Sequence, residues 1–228
     1  MRAQVEGGAP GRRPLFIEAA VESIGGALAA DAEGVDRIEL CGSLHDGGVT
    51  PSAGLVRRAL ESVTKPIHVF IRPRTGNFVY DRHDVAVMLG DINDAKTARA
   101  SGVVFGALTA DGRIDRELMS ELIAAARPMT VGFHRAFDRV QVADQATALE
   151  TLIELGVAVV LTSGGAALAL DGASRLRQLV DQARGRIDIL AGGGITPSNV
   201  VELVEFSGVR HVHGKAFAGL RAAAQGLG

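Results

Sequence analysis

The sequence predicts an α/β protein folded as a single (β/α)8 barrel, the TIM-barrel architecture, and three observations lead to this prediction. Eight short runs rich in apolar and β-branched residues alternate with seven longer amphipathic stretches. The chain has 228 residues, which suits one such domain. Apolar residues make up 47% and aromatic residues only 4%, which favours an aliphatic core between parallel strands and their covering helices.

The predicted strands are 15–20, 36–41, 67–72, 102–106, 129–134, 157–162, 187–192 and 209–214. The helical patterns cover about 22–34, 52–62, 84–101, 115–127, 143–155, 168–184 and 198–207, followed by a short helix within 217–226. An open doubly wound sheet is the alternative, but no G-x-G-x-x-G follows the first strand. We therefore expect a barrel over 15–228 and a disordered N-terminal extension over 1–14.

Composition argues against several classes of partner. Twenty-four Lys and Arg residues against 26 Asp and Glu residues give a net charge of −2, and no basic stripe indicates binding to nucleic acid or an anionic membrane. No apolar run is long enough to span a bilayer, and residues 1–13 lack the apolar segment of a signal peptide. The single cysteine, Cys41, excludes an internal disulfide and favours the reducing cytoplasm.

Strand parity predicts which side chains face the barrel interior. Residues two apart on a strand share a face, and barrel sites gather at the carboxyl ends of the strands. This places charged and titratable groups inward on the first, second, third, fifth and eighth strands, at Glu18, Glu39, Arg72, His134, His211 and His213. Such charge in a barrel interior favours a ligand site, although a buried salt-bridge network, such as Glu39 with Arg72, is the alternative.

Glycine-rich turns follow two of the predicted strands. Gly192, Gly193 and Gly194 end the seventh strand, where backbone N–H groups can approach a phosphate. Ser163, after the sixth strand, adds a hydroxyl donor. The alternative is that the three glycines only form a tight turn.

Cys41 is the candidate metal ligand among the inward-facing residues. Parity places its thiol beside Glu39 at the end of a strand, where a soft metal or an electrophile would meet it. A buried cysteine that packs only as a small apolar side chain is the alternative.

An ordered series of motifs resembles the CutC family over about residues 16–216. The motifs are R-I-E-L-C at 37–41, G-G-V-T-P-S at 47–52, I-R-P-R-T-G-N-F-V-Y at 71–80, V-F-G at 104–106, F-H-R-A-F-D at 133–138, L-T-S-G at 161–164 and G-G-G-I at 192–195. The resemblance implies a barrel fold, a cytoplasmic location, a homodimer and a role in copper homeostasis.

The chain departs from that family pattern in two places. Many relatives have a cysteine where this chain has Ala20, so the resemblance implies a pair of inward thiols of which only Cys41 is present. Near the C-terminus, relatives often read E-F-H-G-S-A, whereas this chain has H-V-H-G-K-A at 211–216. His213 is kept, and Lys215 replaces a serine, which suits an anionic ligand.

Two functional hypotheses follow, and an inactive barrel that only binds a partner protein is a third. In the first, Cys41 binds Cu(I) in a copper-handling protein. In the second, the chain is an enzyme for a small anionic, phosphorylated metabolite: Glu18 or Glu39 is the general base, His134 the general acid, and Asp138 orients His134. Its phosphate would be bound by Ser163, by Gly192 to Gly194 and by the cationic side chains, which are Arg72, Arg74 and Lys215. Glu18 and Glu39 could also hold a divalent ion.

Overall fold

The computed structural model describes residues 14–226, and these form a closed barrel of eight parallel strands hydrogen-bonded in chain order. The last strand pairs with the first, so the sheet has no free edge. The strands are β1 (Phe16–Val21), β2 (Arg37–Leu40), β3 (Ile67–Phe70), β4 (Gly102–Phe105), β5 (Thr130–Phe133), β6 (Val159–Thr162), β7 (Asp188–Gly192) and β8 (His211–Gly214). The predicted barrel is confirmed, whereas the predicted extension lies outside the described residues except for Pro14.

Eight α-helices alternate with the strands. They are α1 (Ile24–Ala32), α2 (Ala53–Ser62), α3 (Arg82–Thr97), α4 (Arg116–Ala126), α5 (Gln145–Glu154), α6 (Ala173–Ala183), α7 (Val200–Ser207) and α8 (Leu220–Ala223). Ser52 and Asp115 cap α2 and α4, since their side chains accept from the backbone N–H groups of Leu55 and Leu118. No helix in residues 14–226 is long and apolar enough to cross a membrane.

The starts of the third and sixth helices differ from the prediction by two and five residues. The third helix begins earlier than predicted because Asp81 and Asp84 form a capping box at its N-terminus. The sixth begins at Ala173 and not at 168, because the preceding segment folds back onto the end of β6. A Cβ on Gly172 would lie 1.8 Å from the Ser163 carbonyl oxygen, so this close backbone approach requires glycine.

The strand parity predicted from the sequence is confirmed. Leu15, Ile17 and Ala19 pack with the main apolar core between the strands and the helices. The alternate residue Glu18 is buried inside the barrel, in register with Arg37 of β2 and His213 of β8. The parallel register therefore brings charged side chains of three neighbouring strands to one level of the interior.

Candidate functional site

A cavity of about 430 Å³ opens at the carboxyl ends of the strands. Barrels of this architecture bind ligands at this end, and the volume suits a small molecule. Much of its wall is apolar, from Leu44, Phe70, Phe78 and Leu161. Its polar lining consists of Glu39, Cys41, His134, Arg135, Thr196, His213 and Lys215.

Three titratable side chains from β1, β2 and β8 form what we call the floor cluster: Glu18, Glu39 and His213. Glu18 Oε1 lies 2.7 Å from His213 Nδ1, and Glu39 Oε2 lies 3.6 Å from His213 Nε2. Glu39 and His213 line the cavity. One potential ligand atom from each residue lies within 4.8 Å of the others, so the cluster has the spacing of a candidate cation site.

Burial and mutual charge separate the pKa values of the floor cluster. Burial alone would raise the pKa of Glu18, but Arg37 and His213 outweigh it and lower this pKa to about 2. Burial raises the pKa of Glu39 to about 7, with His213 opposing the shift and Glu18 adding to it. Burial would lower the pKa of His213, but Glu39 and Glu18 raise it. Glu18 is therefore ionised at neutral pH, and Glu39 exchanges its proton near pH 7.

Arg37 neutralises the deeper carboxylate of the cluster. Its Nε donates to Glu18 Oε2, and its guanidinium lies 5.0 Å from the centre of the Phe16 ring. His68 is buried at the same depth, and burial, together with the charge of Arg37, lowers its pKa to about 4. The buried ion pair is thus Glu18 with Arg37, and the predicted Glu39–Arg72 alternative was wrong.

Cys41 lies on the cavity floor beside Glu39. Its Sγ donates to Glu39 Oε2 at 3.4 Å. Burial raises the pKa of the Cys41 thiol well above its ordinary value, and the charge of Glu39 adds to the increase. The thiol is therefore protonated at neutral pH, which disfavours metal binding and nucleophilic attack.

His134 follows β5 and presents a neutral imidazole to the cavity. Its Nδ1 accepts from the backbone N–H of Ala136 at 3.2 Å, so Nε2 carries the proton. Burial, with a further contribution from Arg72, lowers its pKa to about 3. His134 is thus a hydrogen-bond donor at neutral pH and is poorly suited to the predicted role of general acid.

Asp138 does not orient His134, so that expectation was wrong. Its carboxylate accepts from the backbone N–H of Ser163 at 3.1 Å and from that of Gly165 at 3.1 Å. It also forms an ion pair with Arg135, whose Nε lies 2.7 Å from Oδ2. Because Arg135 lines the cavity, Asp138 positions a cationic group and the loop after β6.

Ser163 supports the cavity wall and does not line the cavity. Its hydroxyl bonds to the Ala166 carbonyl at 2.5 Å and lies 2.7 Å from the Arg135 guanidinium. The side chain is fully buried in this network. Its predicted contact with a phosphate is therefore wrong for this conformation.

The three glycines after β7 differ in their surroundings. Gly193 and Gly194 line the cavity with positive φ angles of 119° and 68°, which favour glycine. Gly192 faces Leu161, whose Cδ1 would lie 2.6 Å from an added Cβ, and does not line the cavity. Leu168 packs equally closely against Gly194, since its Cδ2 would lie 2.6 Å from an added Cβ. Close packing and backbone conformation therefore account for glycine at these positions, and phosphate binding by Gly193 and Gly194 stays a prediction.

Arg72 and Arg74 do not reach the cavity, contrary to their predicted role. The Arg72 guanidinium donates to the carbonyls of Gly48 at 3.0 Å and Gly76 at 2.8 Å, and lies over the Phe78 ring. Arg74 Nε donates to Asp84 at 2.9 Å. Arg72 stabilises the loops after β2 and β3, and Arg74 stabilises the loop after β3, because backbone carbonyls of these loops accept from the two guanidinium groups.

Lys215 occupies the mouth of the cavity as predicted. Its Nζ donates to the Leu44 carbonyl at 2.9 Å, and no carboxylate of residues 14–226 forms an ion pair with it. Sequence reasoning missed Arg135 and gave Arg37 no role in the site. Strand parity puts Arg37 on the inward face, but its register with Glu18 comes from the structure, and the position of Arg135 depends on a loop conformation.

The fold and the cavity define a (β/α)8-barrel protein with titratable groups at the floor of its cavity. The model of the CutC family matches residues 15–218, and the chain therefore belongs to this family. A human relative named copper homeostasis protein cutC homolog is 46% identical over 93% of this chain and 77% of that protein. A CutC family protein of Mesorhizobium japonicum is 48% identical over 92% of this chain and 79% of its own length.

Comparison with solved structures also finds a CutC protein and other barrels. The crystal structure of a CutC protein from Streptococcus agalactiae has a TM-score of 0.85 and 32% identity, and covers 89% of this chain and 99% of that one. An aldolase, QR15, has a TM-score of 0.69 at 16% identity and covers 91% of this chain and 93% of its own. That second likeness shows the barrel fold alone.

Proposed function

We propose that this CutC-family chain is an enzyme that transfers a proton to or from a small anionic metabolite bound in the cavity, with Glu39 as the acid–base group. One observation carries the proposal. Glu39 is 2% exposed, lines the cavity, and its Oε1 has no hydrogen-bond partner among residues 14–226. Leaving a buried carboxyl oxygen unpaired costs free energy, and a bound ligand would supply the missing partner.

The protonation behaviour of Glu39 supports the same role. A general base is most effective when its pKa lies near the working pH. The pKa of Glu39 is raised to about 7, whereas Glu18, which is equally buried, stays ionised because of Arg37. Two carboxyl groups in one cluster thus have different tasks, set by their neighbours.

Glu18 acts as a positioning residue for His213. Its Oε1 bonds to Nδ1, which fixes the ring with Nε2 directed toward Glu39. The positive charge of His213 also limits how far burial raises the pKa of Glu39. The pair therefore sets both the orientation and the proton affinity of the acid–base group.

The test is turnover of a panel of small anionic metabolites, comprising hydroxy acids, keto acids and sugar phosphates, followed by proton NMR. We expect turnover by the wild type and a loss of at least about a hundredfold in Glu39→Gln. Glu121→Gln, on the exposed side of α4, is the matched control. Equal turnover in wild type and Glu39→Gln would contradict the proposal, as would the absence of any turnover across the panel.

Binding of a copper ion is the second candidate. It is favoured by the names of the human and mouse relatives, both called copper homeostasis protein cutC homolog, and by Cys41 on the cavity floor. The donor set fits Cu(I) poorly, because the Cys41 thiol is protonated and no second sulfur atom of the described residues lines the cavity. We propose a cytoplasmic homodimer as the setting for either function.

Copper binding is tested by anaerobic Cu(I) titration against a chromophoric chelator. We expect weak competition by the wild type and tighter binding by Ala20→Cys, because Ala20 lines the cavity on the strand next to Cys41. Cys41→Ser in the Ala20→Cys background should remove the gain. Tight one-to-one binding by the wild type that is lost in Cys41→Ser would make copper the ligand of this cavity.

A further inference from the structure

Two buried polar atoms on the cavity wall lack hydrogen-bond partners among residues 14–226, and they are chemically complementary. Glu39 Oε1 belongs to a carboxyl group at β2, and His134 Nε2 belongs to an imidazole after β5. Both side chains are 2% exposed and line the same cavity. Strands β2 and β5 are three places apart in the closed barrel, so the two groups face the cavity from different sides. A ligand between them would meet a proton acceptor and a hydrogen-bond donor.

The donor is held firmly. The Ala136 N–H fixes the tautomer of His134 through Nδ1. The rings of Phe70 and Phe78 lie 5.1 and 4.9 Å from the imidazole. On another side, a Cβ on Gly106 would lie 2.7 Å from His134 Nδ1, so the backbone directly after β4 also confines the ring. A fixed neutral N–H of this kind stabilises negative charge that develops on a ligand oxygen.

The mouth of the cavity adds a cationic group that has no carboxylate partner in the part of the chain that the structure describes. Arg135 is compensated by Asp138, whereas Lys215 is bound only to the Leu44 carbonyl. The two follow β5 and β8 and both line the cavity. One net positive charge at the mouth suits one anionic group on the ligand.

We propose, resting on the proposed function, that the substrate is a small carbonyl compound that carries an anionic group, a carboxylate or a phosphate. The Glu39 carboxylate removes a proton from the carbon beside the carbonyl. The C–H bond breaks, an O–H bond forms on Glu39, and the electron pair moves through the new C–C double bond to the carbonyl oxygen. His134 Nε2–H donates to the resulting enolate oxygen, and Lys215 binds the anionic group. Return of the proton from Glu39 closes the cycle without a co-reactant.

The test is exchange of carbon-bound hydrogen for deuterium in D2O, followed by proton NMR. The probes are pyruvate, dihydroxyacetone phosphate and uncharged dihydroxyacetone. We expect an anionic probe to exchange faster with the wild type than with Glu39→Gln. Uncharged dihydroxyacetone should exchange at the background rate with both proteins. Whether pyruvate or dihydroxyacetone phosphate exchanges faster identifies the anionic group as carboxylate or phosphate.

Two substitutions separate the chemistry of His134 from its structural role. His134→Asn keeps an acceptor near Nδ1 for the Ala136 N–H but removes the donor at Nε2, and we expect exchange to fall about a hundredfold. His134→Gln keeps a donor near Nε2 and should recover most of the rate. Lys215→Met should raise KM at least about tenfold with little change in kcat, whereas Lys96→Met, at the C-terminal end of α3, is the matched control.

The outcomes separate this inference from the proposed function. If no carbonyl probe exchanges while Glu39 is required for turnover of another compound, the inference is wrong and the proposed function stands. If the panel and the probes both fail, both are wrong. If His134→Asn exchanges the probe at the wild-type rate, this imidazole only caps the loop. If the wild type exchanges charged and uncharged probes at equal rates, Lys215 has no role in binding the anionic group.

Discussion

The two sides of the barrel interior are built from opposite chemistry at similar burial. The side formed by β8, β1 and β2 carries charged inward residues, with Glu18 1% and Glu39 2% exposed. On the side formed by β6 and β7, the inward residues Val159, Leu161 and Leu190 form an apolar cluster. The side chains of both sides are buried, but of the two only the charged side has groups that can exchange protons.

The comparison shows that stability and reactivity are divided between the two sides. Burying an aliphatic side chain stabilises the fold by about 1.5–3 kcal/mol. A buried ion pair is close to neutral in free energy, because the loss of hydration offsets the attraction. The charged side is therefore costly to disturb and of little benefit to stability when intact, as expected of a functional site.

The largest expected effect comes from breaking the ion pair on the charged side. Glu18→Leu leaves Arg37 and His213 without their carboxylate, and we expect the free energy of unfolding to fall by about 3–5 kcal/mol. Urea denaturation at pH 7 followed by circular dichroism measures this loss. The double variant Glu18→Leu with Arg37→Met should recover part of it, and no recovery would show that the pair is not energetically coupled.

The same pair gives a pH dependence. The pKa of Glu18 is lowered from 4.5 to about 2 in the folded protein, so its contribution is complete above pH 4.5 and is lost as the pH falls toward 2. In Glu18→Leu, this part of the acid dependence should be missing. An identical acid profile in both proteins would contradict the assigned pKa shift.

The apolar side gives the next effect. Leu190→Ala should lower the free energy of unfolding by about 2–4 kcal/mol through lost burial and a residual cavity. Because no titratable group of the floor cluster changes, the loss should be the same at pH 5 and pH 8. A loss that depends on pH would show that the two sides of the interior are coupled.

A smaller effect of opposite sign is expected at Glu39. Its pKa is raised from 4.5 to about 7, so ionising it in the folded protein costs stability as the pH rises through this interval. Glu39→Gln should therefore increase the free energy of unfolding by about 1–3 kcal/mol at pH 8 and have little effect at pH 4. Urea denaturation at both pH values tests this, and destabilisation at pH 8 would contradict it.

The smallest effect is expected at Cys41. Cys41→Ala removes the weak hydrogen bond from Sγ to Glu39, which costs about 1 kcal/mol and raises the pKa of Glu39 further. The ¹³C chemical shift of the Glu39 carboxyl across a pH titration reports the direction. A lower pKa in the variant would show that the thiol does not donate to this carboxylate.

Much of the fold and part of the site were predictable from local pattern. Alternation along the strands placed Glu18, Glu39, Cys41 and His213 inward, since side chains alternate faces whatever the loops do. The roles of Arg72 and Arg74 were not predictable in this way. Their partners are loop carbonyls, and the positions of those carbonyls depend on how the turns after β2 and β3 fold.

The sequence by itself determined the barrel, the family and the inward face of each strand, because periodicity and motif order are local properties of the chain. Only the tertiary structure decided which charges meet. It paired Glu18 with Arg37 and His213. Glu39 Oε1 and His134 Nε2, on the wall of one cavity, have no hydrogen-bond partner among residues 14–226. Proton affinity and unmet hydrogen bonds depend on distance and burial, and these exist only once the eight strands close.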